Sequence, residues 1–237
     1  MRKLCLWVAL ILALTALSAG AETLTCGDYE YIAGPDGTVR ITGWTGSDAE
    51  LEIPGELDGL AVTAIGPEAF AEREALERVT LPEGLREIGD CAFAHCLSLV
   101  SINLPASLEA LGMNPFRDCA FLTGIALDEG QDGFEVTDDG ALYADGGRRL
   151  VFYPGGLPMD SYVVPEGVER IDDFAFSHCS KLVSVSIPSS VTEIGENAFE
   201  GHENLTLTVE RDSCAEAFAR SIGVKYTYPD ANDWLNG

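Results

Sequence analysis

The chain has 237 residues and a mass of 25.3 kDa, which is enough to bury a sizeable core in one large domain or two small ones. Its 39 Asp and Glu residues face only 14 Lys and Arg, so the formal net charge is −25, and 46% of the residues are hydrophobic. We therefore expect no disorder of the whole chain, no nucleic-acid binding, which needs clustered Lys and Arg, and no adsorption to anionic membranes.

The first 21 residues have the pattern of a secretory signal peptide. Arg2 and Lys3 precede an apolar run that begins at Leu4, and the segment closes with Ala19-Gly20-Ala21. The apolar run is shorter than the roughly 20 residues that a membrane-spanning helix requires. We predict cleavage after Ala21, export, and no membrane insertion of the mature chain. Lipidation is a minor alternative, since the residue before Cys26 is not small.

An internal repeat of 23 residues dominates the rest of the sequence. Leu76, Leu99 and Leu122 begin successive copies, and the same spacing relates residues 159, 182 and 205. A partial copy opens the array at Leu51. The shared unit is Leu-x-x-Val-x-Leu-Pro-x-x-Leu-x-x-Ile-Gly-x-x-Ala-Phe-x-x-Cys. So short a unit cannot bury its apolar face alone, and the repeat therefore predicts a stacked solenoid.

Each part of the unit has a physical interpretation. The Val-x-Leu alternation predicts a strand with both large side chains pointing inward, and the following proline ends that strand. The later glycine permits a tight bend, and Ala-Phe supplies one small and one bulky residue. In a stack each position becomes a column. Two predicted core columns are Leu81, Leu104, Leu127, Val164, Ile187 and Phe70, Phe93, Phe116, Phe176, Phe199.

An open-ended stack also requires caps. Two alternating segments flank the turn Pro35-Asp36-Gly37, which predicts a hairpin, and Ser213-Cys-Ala-Glu216 is a capping-box pattern that predicts a helix before a last strand. Turns at Asp139-Gly140 and Asp145-Gly146-Gly147 predict a β-hairpin insertion. The predicted organisation is a signal peptide over 1–21, an N-terminal hairpin cap over 22–50, repeats over 51–204 with an insertion at about 128–158, a C-terminal cap over 205–228 and a flexible tail over 229–237.

The unit, with its Leu-Pro, Ile-Gly and Ala-Phe-x-x-Cys landmarks, closely resembles the BspA-like leucine-rich repeats of bacterial secreted and cell-surface proteins over nearly all of Leu51–Tyr228. The resemblance implies a right-handed, mainly β, strand-lined solenoid. It also implies a secreted or surface location and adhesion to host or bacterial proteins, and it implies no catalytic activity. The chain has few repeats and no visible wall-anchor motif, so the mode of surface attachment stays open.

Candidate catalytic and zinc-binding residues are few. His95 and His178 each stand just before a cysteine, but adjacent residues in an extended turn tend to point apart, and no third catalytic residue is visible. A zinc site formed by Cys91, His95 and Cys96 lacks a fourth ligand and the paired spacing of structural zinc sites. We therefore expect no catalytic residue at these positions and no bound zinc.

Two further patterns are weighed in the same way. Asp128 to Asp139 is similar to a degraded calcium loop, because Gly130 stands at the third position and the last ligand is not Glu. We expect no metal ion and no cofactor there.

Six cysteines remain after cleavage, and an exported protein can pair them. Cys96, Cys119 and Cys179 share a repeat column in which the family resemblance implies small buried residues. Buried thiols are favoured over disulfides, and a Cys96–Cys119 bridge remains the alternative.

A solenoid presents one outward residue per turn, which makes its strand ladder the natural binding surface. The central outward column is small and uncharged, and it suits a flat protein surface: Thr80, Asn103, Ala126, Val163, Ser186. Exposed aromatic side chains are expected in the insertion, at Tyr143, Phe152 and Tyr153. We predict a monomer that binds an extracellular or cell-surface protein. A passive exoprotein without a ligand and, less favoured, an exported enzyme are the alternatives.

Overall fold

The computed structural model describes residues 22–230, so the predicted signal peptide and the tail residues 231–237 lie outside the described residues. Within residues 22–230 the structure contains twenty β-strands and one α-helix. The described chain divides into two compact units: unit 1 comprises residues 22–116 and 126–131, and unit 2 comprises residues 117–125 and 132–230. Each unit is a mainly β solenoid, as the repeat predicts. No helix in this part of the chain is long and apolar enough to cross a membrane.

Unit 1 begins with an antiparallel meander whose third strand pairs in parallel with the first repeat, which confirms the predicted hairpin cap. One sheet has the order β1-β2-β3-β6-β8-β10 with β5 antiparallel to β6, and a second contains β4, β7 and β9 in parallel. The strands are β1 (Leu24–Cys26), β2 (Tyr29–Ala33), β3 (Thr38–Trp44), β4 (Glu50–Glu52), β5 (Glu56–Leu57), β6 (Leu60–Ile65), β7 (Arg78–Thr80), β8 (Glu87–Ile88), β9 (Ser101–Leu104) and β10 (Ala110–Leu111).

Unit 2 contains the insertion, the later repeats and the C-terminal cap. Its sheets have the orders β12-β13-β14-β16-β18 and β15-β17-β19-β20. The elements are β11 (Gly124–Leu127, divided between the units), β12 (Phe134–Val136), β13 (Leu142–Ala144), β14 (Arg149–Phe152), β15 (Ser161–Val163), β16 (Arg170–Ile171), β17 (Ser184–Ile187), β18 (Glu193–Ile194), β19 (Thr206–Val209), α1 (Cys214–Ile222) and β20 (Lys225–Thr227).

The predicted strand alternation is confirmed in the repeats. Val79 and Leu81 are both buried while Thr80 between them is exposed, and Val79 lies directly beside Ile102 of the next turn. A proline follows the strand within two residues in β7, β9, β15 and β17. Because proline cannot donate to the ladder, each strand ends at the same place and the turns stay in register.

The phenylalanine column forms the centre of each core. In unit 1 the ring centroids of Phe70 and Phe93 lie 5.2 Å apart, and those of Phe93 and Phe116 lie 6.1 Å apart. In unit 2, Phe176 and Phe199 are stacked at 4.9 Å. Such aromatic pairs stabilise the core by about 0.5–1.5 kcal/mol beyond the area that they bury. The rings therefore hold successive turns together in addition to filling the interior.

The Ile-Gly landmark has a different role from the predicted bend. Gly195 does not have a positive φ, but a Cβ atom on it would lie 2.4 Å from the Cα of Asp173 in the preceding turn. A Cβ on Gly112 would lie 2.5 Å from the backbone nitrogen of Asp90. Glycine is required because two backbones approach too closely for any side chain.

The predicted C-terminal cap is confirmed as a helix followed by a strand. The backbone N–H of Glu216 donates to Ser213 Oγ at 3.1 Å, and Gly223 ends α1 in the left-handed conformation with φ 72°. The Glu216 carboxylate accepts hydrogen bonds from the Tyr228 hydroxyl and the backbone N–H of Asp212, both at 2.6 Å. The bond from Tyr228 is the main reason that the pKa of Glu216 is lowered. Helix and last strand are thus tied together through one carboxylate.

The core argument predicts the effect of one deletion. Phe176→Ala should lower the free energy of unfolding by about 3–5 kcal/mol, because it removes a fully buried ring that contacts aromatic neighbours on both sides. Urea unfolding followed by circular dichroism measures this change. Phe121→Ala removes a ring that is 65% exposed and serves as the control, with an expected change within about 0.5 kcal/mol. Equal effects of the two substitutions would contradict the assignment of the column as the core.

Candidate protein-binding surface

One residue of the predicted outward column in unit 1 makes hydrogen bonds within the fold. Thr80 and Ala126 are exposed, but Asn103 is half-buried. The Asn103 side chain accepts a hydrogen bond from the backbone N–H of Leu81 at 2.7 Å and donates to Asp128 Oδ2 at 2.7 Å. Asn103 therefore joins adjacent turns, which leaves Thr80 and Ala126 as the accessible members of the predicted column.

The outward face of unit 2 is formed by β15, β17, β19 and β20. It is rich in hydroxyl groups, and none of these four strands contains Asp or Glu. Val163, 68% exposed, lies beside Ser186, which lies beside Thr208, so the predicted column continues in strict register. The second outward column runs through Ser161, Ser184, Thr206 and Lys225. We call the eight residues the hydroxyl face: Ser161, Val163, Ser184, Ser186, Thr206, Thr208, Lys225, Thr227.

The corresponding face of unit 1 is charged at its first two strands. Glu50 and Glu52 of β4 are exposed, and Arg78 Nε lies 3.7 Å from Glu50 Oε1. Exposed ion pairs of this kind contribute about 0–1 kcal/mol to stability. The two sheet faces therefore present different chemistry, and the one without carboxylates belongs to unit 2.

The expectation of exposed aromatic residues in the insertion is wrong. Tyr143, Phe152 and Tyr153 are all buried. The insertion is a meander of three antiparallel strands, and its last strand, β14, continues the repeat ladder by pairing in parallel with β16. Tyr153 lies 23 residues before Phe176, and its ring is stacked on that of Phe176 at 5.4 Å. These residues therefore form the core and not a contact surface.

The buried tyrosines also satisfy one another. The hydroxyl groups of Tyr143 and Tyr162 lie 2.6 Å apart. Burial raises the pKa of Tyr143 to about 12, so the pair is neutral at physiological pH. A neutral, hydrogen-bonded pair in this place is part of the packing and offers no acid or base for chemistry.

Three apolar side chains in unit 2 are exposed on consecutive turns, and sequence reasoning missed them. Phe121 is 65% exposed, Met159 46% and Val183 49%. The Gly156 N–H donates to the Leu122 carbonyl at 3.1 Å, and the Val183 N–H donates to the Asp160 carbonyl at 2.7 Å, so their segments are adjacent. We call these three residues the apolar patch.

A signal for the apolar patch was present in the repeat itself. Phe121 stands where other copies have Ala75, Ser98, Lys181 and Asn204, so a large aromatic residue occupies a position that is otherwise small or polar. Met159 stands one period before the buried Leu182, yet its side chain is exposed. Leu157, two residues earlier, packs against the core instead.

The cysteines of the repeat column have the properties of core residues. Cys96, Cys119 and Cys179 are buried, as predicted. Cys96 Sγ donates to the Phe70 carbonyl at 3.1 Å, and Cys179 Sγ donates to the Tyr153 carbonyl at 3.5 Å. Burial raises the pKa of Cys96 to about 11 and raises that of Cys179 as well. A thiolate nucleophile is therefore disfavoured at both positions.

The histidines beside these cysteines occupy strained turn positions. His95 and His178 have φ of 58° and 52°, a conformation in which Asn, Asp and His are enriched among non-glycine residues. His178 Nε2 lies 3.1 Å from Asp118 Oδ1, and Asp118 also contacts Arg117 Nε at 3.3 Å. The His178 side chain therefore contacts Asp118.

The carboxylates of the acidic loop accept hydrogen bonds from neighbouring side chains. Asp128 accepts a hydrogen bond from Asn103, and Asp139 accepts one from Thr137. Among residues 22–230 there is no group of three or more His, Cys, Asp or Glu side chains arranged to hold a metal ion.

A shallow depression in unit 1 of ≈ 210 Å³ is bordered by the Arg40–Glu87 ion pair, whose two hydrogen bonds measure 2.9 and 2.7 Å. That volume is below the roughly 300–1,000 Å³ of ligand pockets.

Comparison with known proteins agrees with this architecture. Six copies of the BspA type leucine rich repeat region match residues 51–142 and 151–219. The chain belongs to this repeat family. The second matched range resumes two residues before Tyr153, where the structure returns to the aromatic column. No curated protein matches the sequence at a significant level.

Solved structures that are similar to this chain come from several bacteria. A leucine rich cell surface protein from Faecalibacterium prausnitzii is 20% identical, with 81% of this chain and 77% of that chain covered and a TM-score of 0.43. A leucine-rich repeat protein from Eubacterium ventriosum is 16% identical, with coverages of 82% and 68% and a TM-score of 0.49. The leucine rich repeat protein of T. pallidum is 24% identical, with coverages of 87% and 98% and a TM-score of 0.49.

The burial of the column cysteines predicts their reactivity. In the folded protein at pH 8, Cys96 and Cys179 should be alkylated by iodoacetamide at least about a hundredfold more slowly than in urea, because both thiols are buried and protonated. Peptide mass spectrometry after timed labelling gives the rate for each cysteine. Labelling of either residue at its unfolded rate would show that the column is open to solvent.

Proposed function

We propose that this protein is an exported, non-catalytic protein-binding module of the bacterial cell exterior. The hydroxyl face is the observation that carries the proposal. It presents eight outward residues without a carboxylate, although Asp and Glu number 39 in the chain. An acidic protein that keeps carboxylates off one sheet has a surface from which another protein can displace water without burying unpaired negative charges.

The chemistry of this face favours a flat protein partner over a carbohydrate or a charged ligand. It has no aromatic ring for stacking on sugars, and Lys225 at its edge is its one charged residue. Hydroxyl groups in register can donate to and accept from the polar groups of a partner with little side-chain entropy to lose. Val163 on β15, the edge strand opposite β20, supplies an apolar contact.

The proposed surface is tested by adding bulk to it. Ser186→Arg places a long cation in the middle of the hydroxyl face, and Ser189→Arg makes the same change in the exposed turn that follows the strand. Partners are captured from extracellular-matrix and cell-surface extracts by cross-linking to purified Glu22–Gly237, identified by mass spectrometry and titrated as pure proteins. Ser186→Arg should weaken the measured affinity at least about tenfold, and Ser189→Arg should change it less than twofold.

Two outcomes of this experiment contradict the proposal. Equal affinities of the two variants would exclude the hydroxyl face as the binding surface. The absence of any saturable partner, with the protein folded by circular dichroism, would favour the alternative of a passive exoprotein. The deletion of residues 134–153 is unsuitable as a test, because its strands form part of the unit 2 core.

Export is tested separately. When the full chain is expressed with a bacterial secretion system, intact-mass analysis of the medium should find a product that begins at Glu22, because Ala19-Gly20-Ala21 has the small residues that signal peptidase accepts. Replacement of Ala21 by a bulky residue should retain the precursor. Secretion of an uncleaved chain would contradict the predicted processing site.

A further inference from the structure

The apolar patch lies on a part of the molecule that has a strong excess of negative charge. Residues 117–125 and 132–230 contain 19 Asp and Glu but 8 Lys and Arg, a net charge of −11. Five of the eight cations are engaged in ion pairs with carboxylates of the same unit: Arg117, Arg149, Arg170, Arg211, Arg220. The uncompensated charge of unit 2 is therefore negative.

Lys181, two residues before Val183 in the sequence, donates a hydrogen bond to a backbone carbonyl and keeps its positive charge. Lys181 Nζ donates to the Gly156 carbonyl at 3.1 Å, in the turn next to Phe121. Asp160, whose carbonyl accepts from Val183, places an exposed carboxylate between Met159 and β15. An approaching ligand therefore meets an apolar surface with a carboxylate at its border, inside a negative field.

We propose that the apolar patch binds a cationic amphipathic segment of a partner protein, with an apolar side chain of that segment packed on Phe121. The inference rests on the proposed protein-binding function and specifies the chemistry of the partner. Negative charge attracts a Lys- or Arg-rich segment and speeds its association, whereas apolar contact slows its release. A neutral or acidic partner would gain only the second effect.

Phe121 is the residue on which the affinity should depend most. Aromatic side chains at the centre of a contact contribute a large share of binding free energy, and Met159 beside it adapts its shape to different partners. Since Phe121 is exposed in the free protein, its substitution leaves the core intact. A loss of binding can therefore be separated from a loss of folding.

The probe is a synthetic amphipathic helix of Lys and Leu, measured by isothermal titration calorimetry against purified Glu22–Gly237. Two comparison peptides separate the contributions: one replaces Lys by Glu with the same apolar pattern, and one replaces Leu by Ser with the same charge. The Lys-Leu peptide should bind at least about tenfold more tightly than either comparison peptide. Raising NaCl from about 50 to about 300 mM should weaken its binding severalfold.

The variants assign the binding to the patch. Phe121→Ser should weaken binding of the Lys-Leu peptide about tenfold, and Lys181→Glu should strengthen it severalfold by removing the adjacent cation. The matched control is Met113→Ser in unit 1, a residue that is 62% exposed outside the patch, and it should leave the affinity unchanged. Circular dichroism and unfolding curves establish that each variant is folded.

Several outcomes would overturn the inference. Equal binding of the Lys-Ser peptide would show charge adsorption, and equal binding of the Glu-Leu peptide would show unselective apolar contact. An unchanged affinity of Phe121→Ser, or an equal loss in Met113→Ser, would remove the patch as the site. If Ser186→Arg abolishes capture of a partner while Phe121→Ser has no effect on the peptide, the proposed function stands and this inference fails. The reverse result would move the protein-binding site from the hydroxyl face to the apolar patch.

Discussion

Hydrogen bonding between the backbones of successive turns is the interaction on which both units depend. A single turn of 23 residues has two short strands, such as β7 and β8, a proline between them and a loop. Alone it leaves its apolar side chains and most of its backbone groups without partners. The next turn supplies those partners in the strands, as in the pairing of Val79 with Ile102, and in the loops, where the Phe70 N–H donates to the Ala92 carbonyl at 2.8 Å. Stability is then a sum over neighbouring turns, so the end turns need covers. The meander β1–β3 supplies one cover and α1 with β20 supplies the other.

The loop conformation explains the His-Cys pairs, which were considered above as catalytic or zinc-binding residues. Glu72, His95, Asp118 and His178 occupy one repeat position and all have a left-handed backbone, and in the last three the next residue is the column cysteine. The N–H of Glu72 donates to the Ala94 carbonyl and that of His178 to the Glu200 carbonyl in the next turn. Asp and His tolerate this conformation better than most side chains, and a β-branched residue would be strongly strained. The adjacent cysteine is buried because the column needs a small residue there. The His-Cys pairs thus arise from two independent packing requirements, and neither requirement produces a nucleophile.

The repeat period allowed the core to be predicted, and departures from it marked where prediction failed. The phenylalanine column, the inward leucines and both caps were predictable, since each depends on local pattern and a fixed spacing. Tyr153 was not assigned to the core column although it obeys the spacing to Phe176, because Leu150 in the strand just before it lies 21 residues before its partner Ile171 and hides the register. The three insertion aromatics were expected outside because an insertion has no repeat to bury it. In the structure β14 belongs to the ladder as much as to the meander. Which outward residues form a surface depends on how turns curve and pack, and the sequence of one turn does not contain that information.

The contrast between inward and outward residues of the repeat also indicates which residues can carry a function. Inward positions are determined by the stack: a column accepts only residues that fill the space between its neighbours, so their identities report packing. Outward positions have no such restriction, and their average in this chain is strongly acidic. A group of outward residues that departs from this average therefore carries information that packing does not. The hydroxyl face departs by lacking carboxylates, and the apolar patch departs by placing Phe121 at a position that is Ser98 or Lys181 in other copies. Both lie in unit 2, and both avoid the desolvation of charge that would oppose binding to a protein. The acidic remainder has a separate physical effect: its negative charge makes copies of the molecule repel one another and, under the inference above, favours a cationic partner over an acidic one.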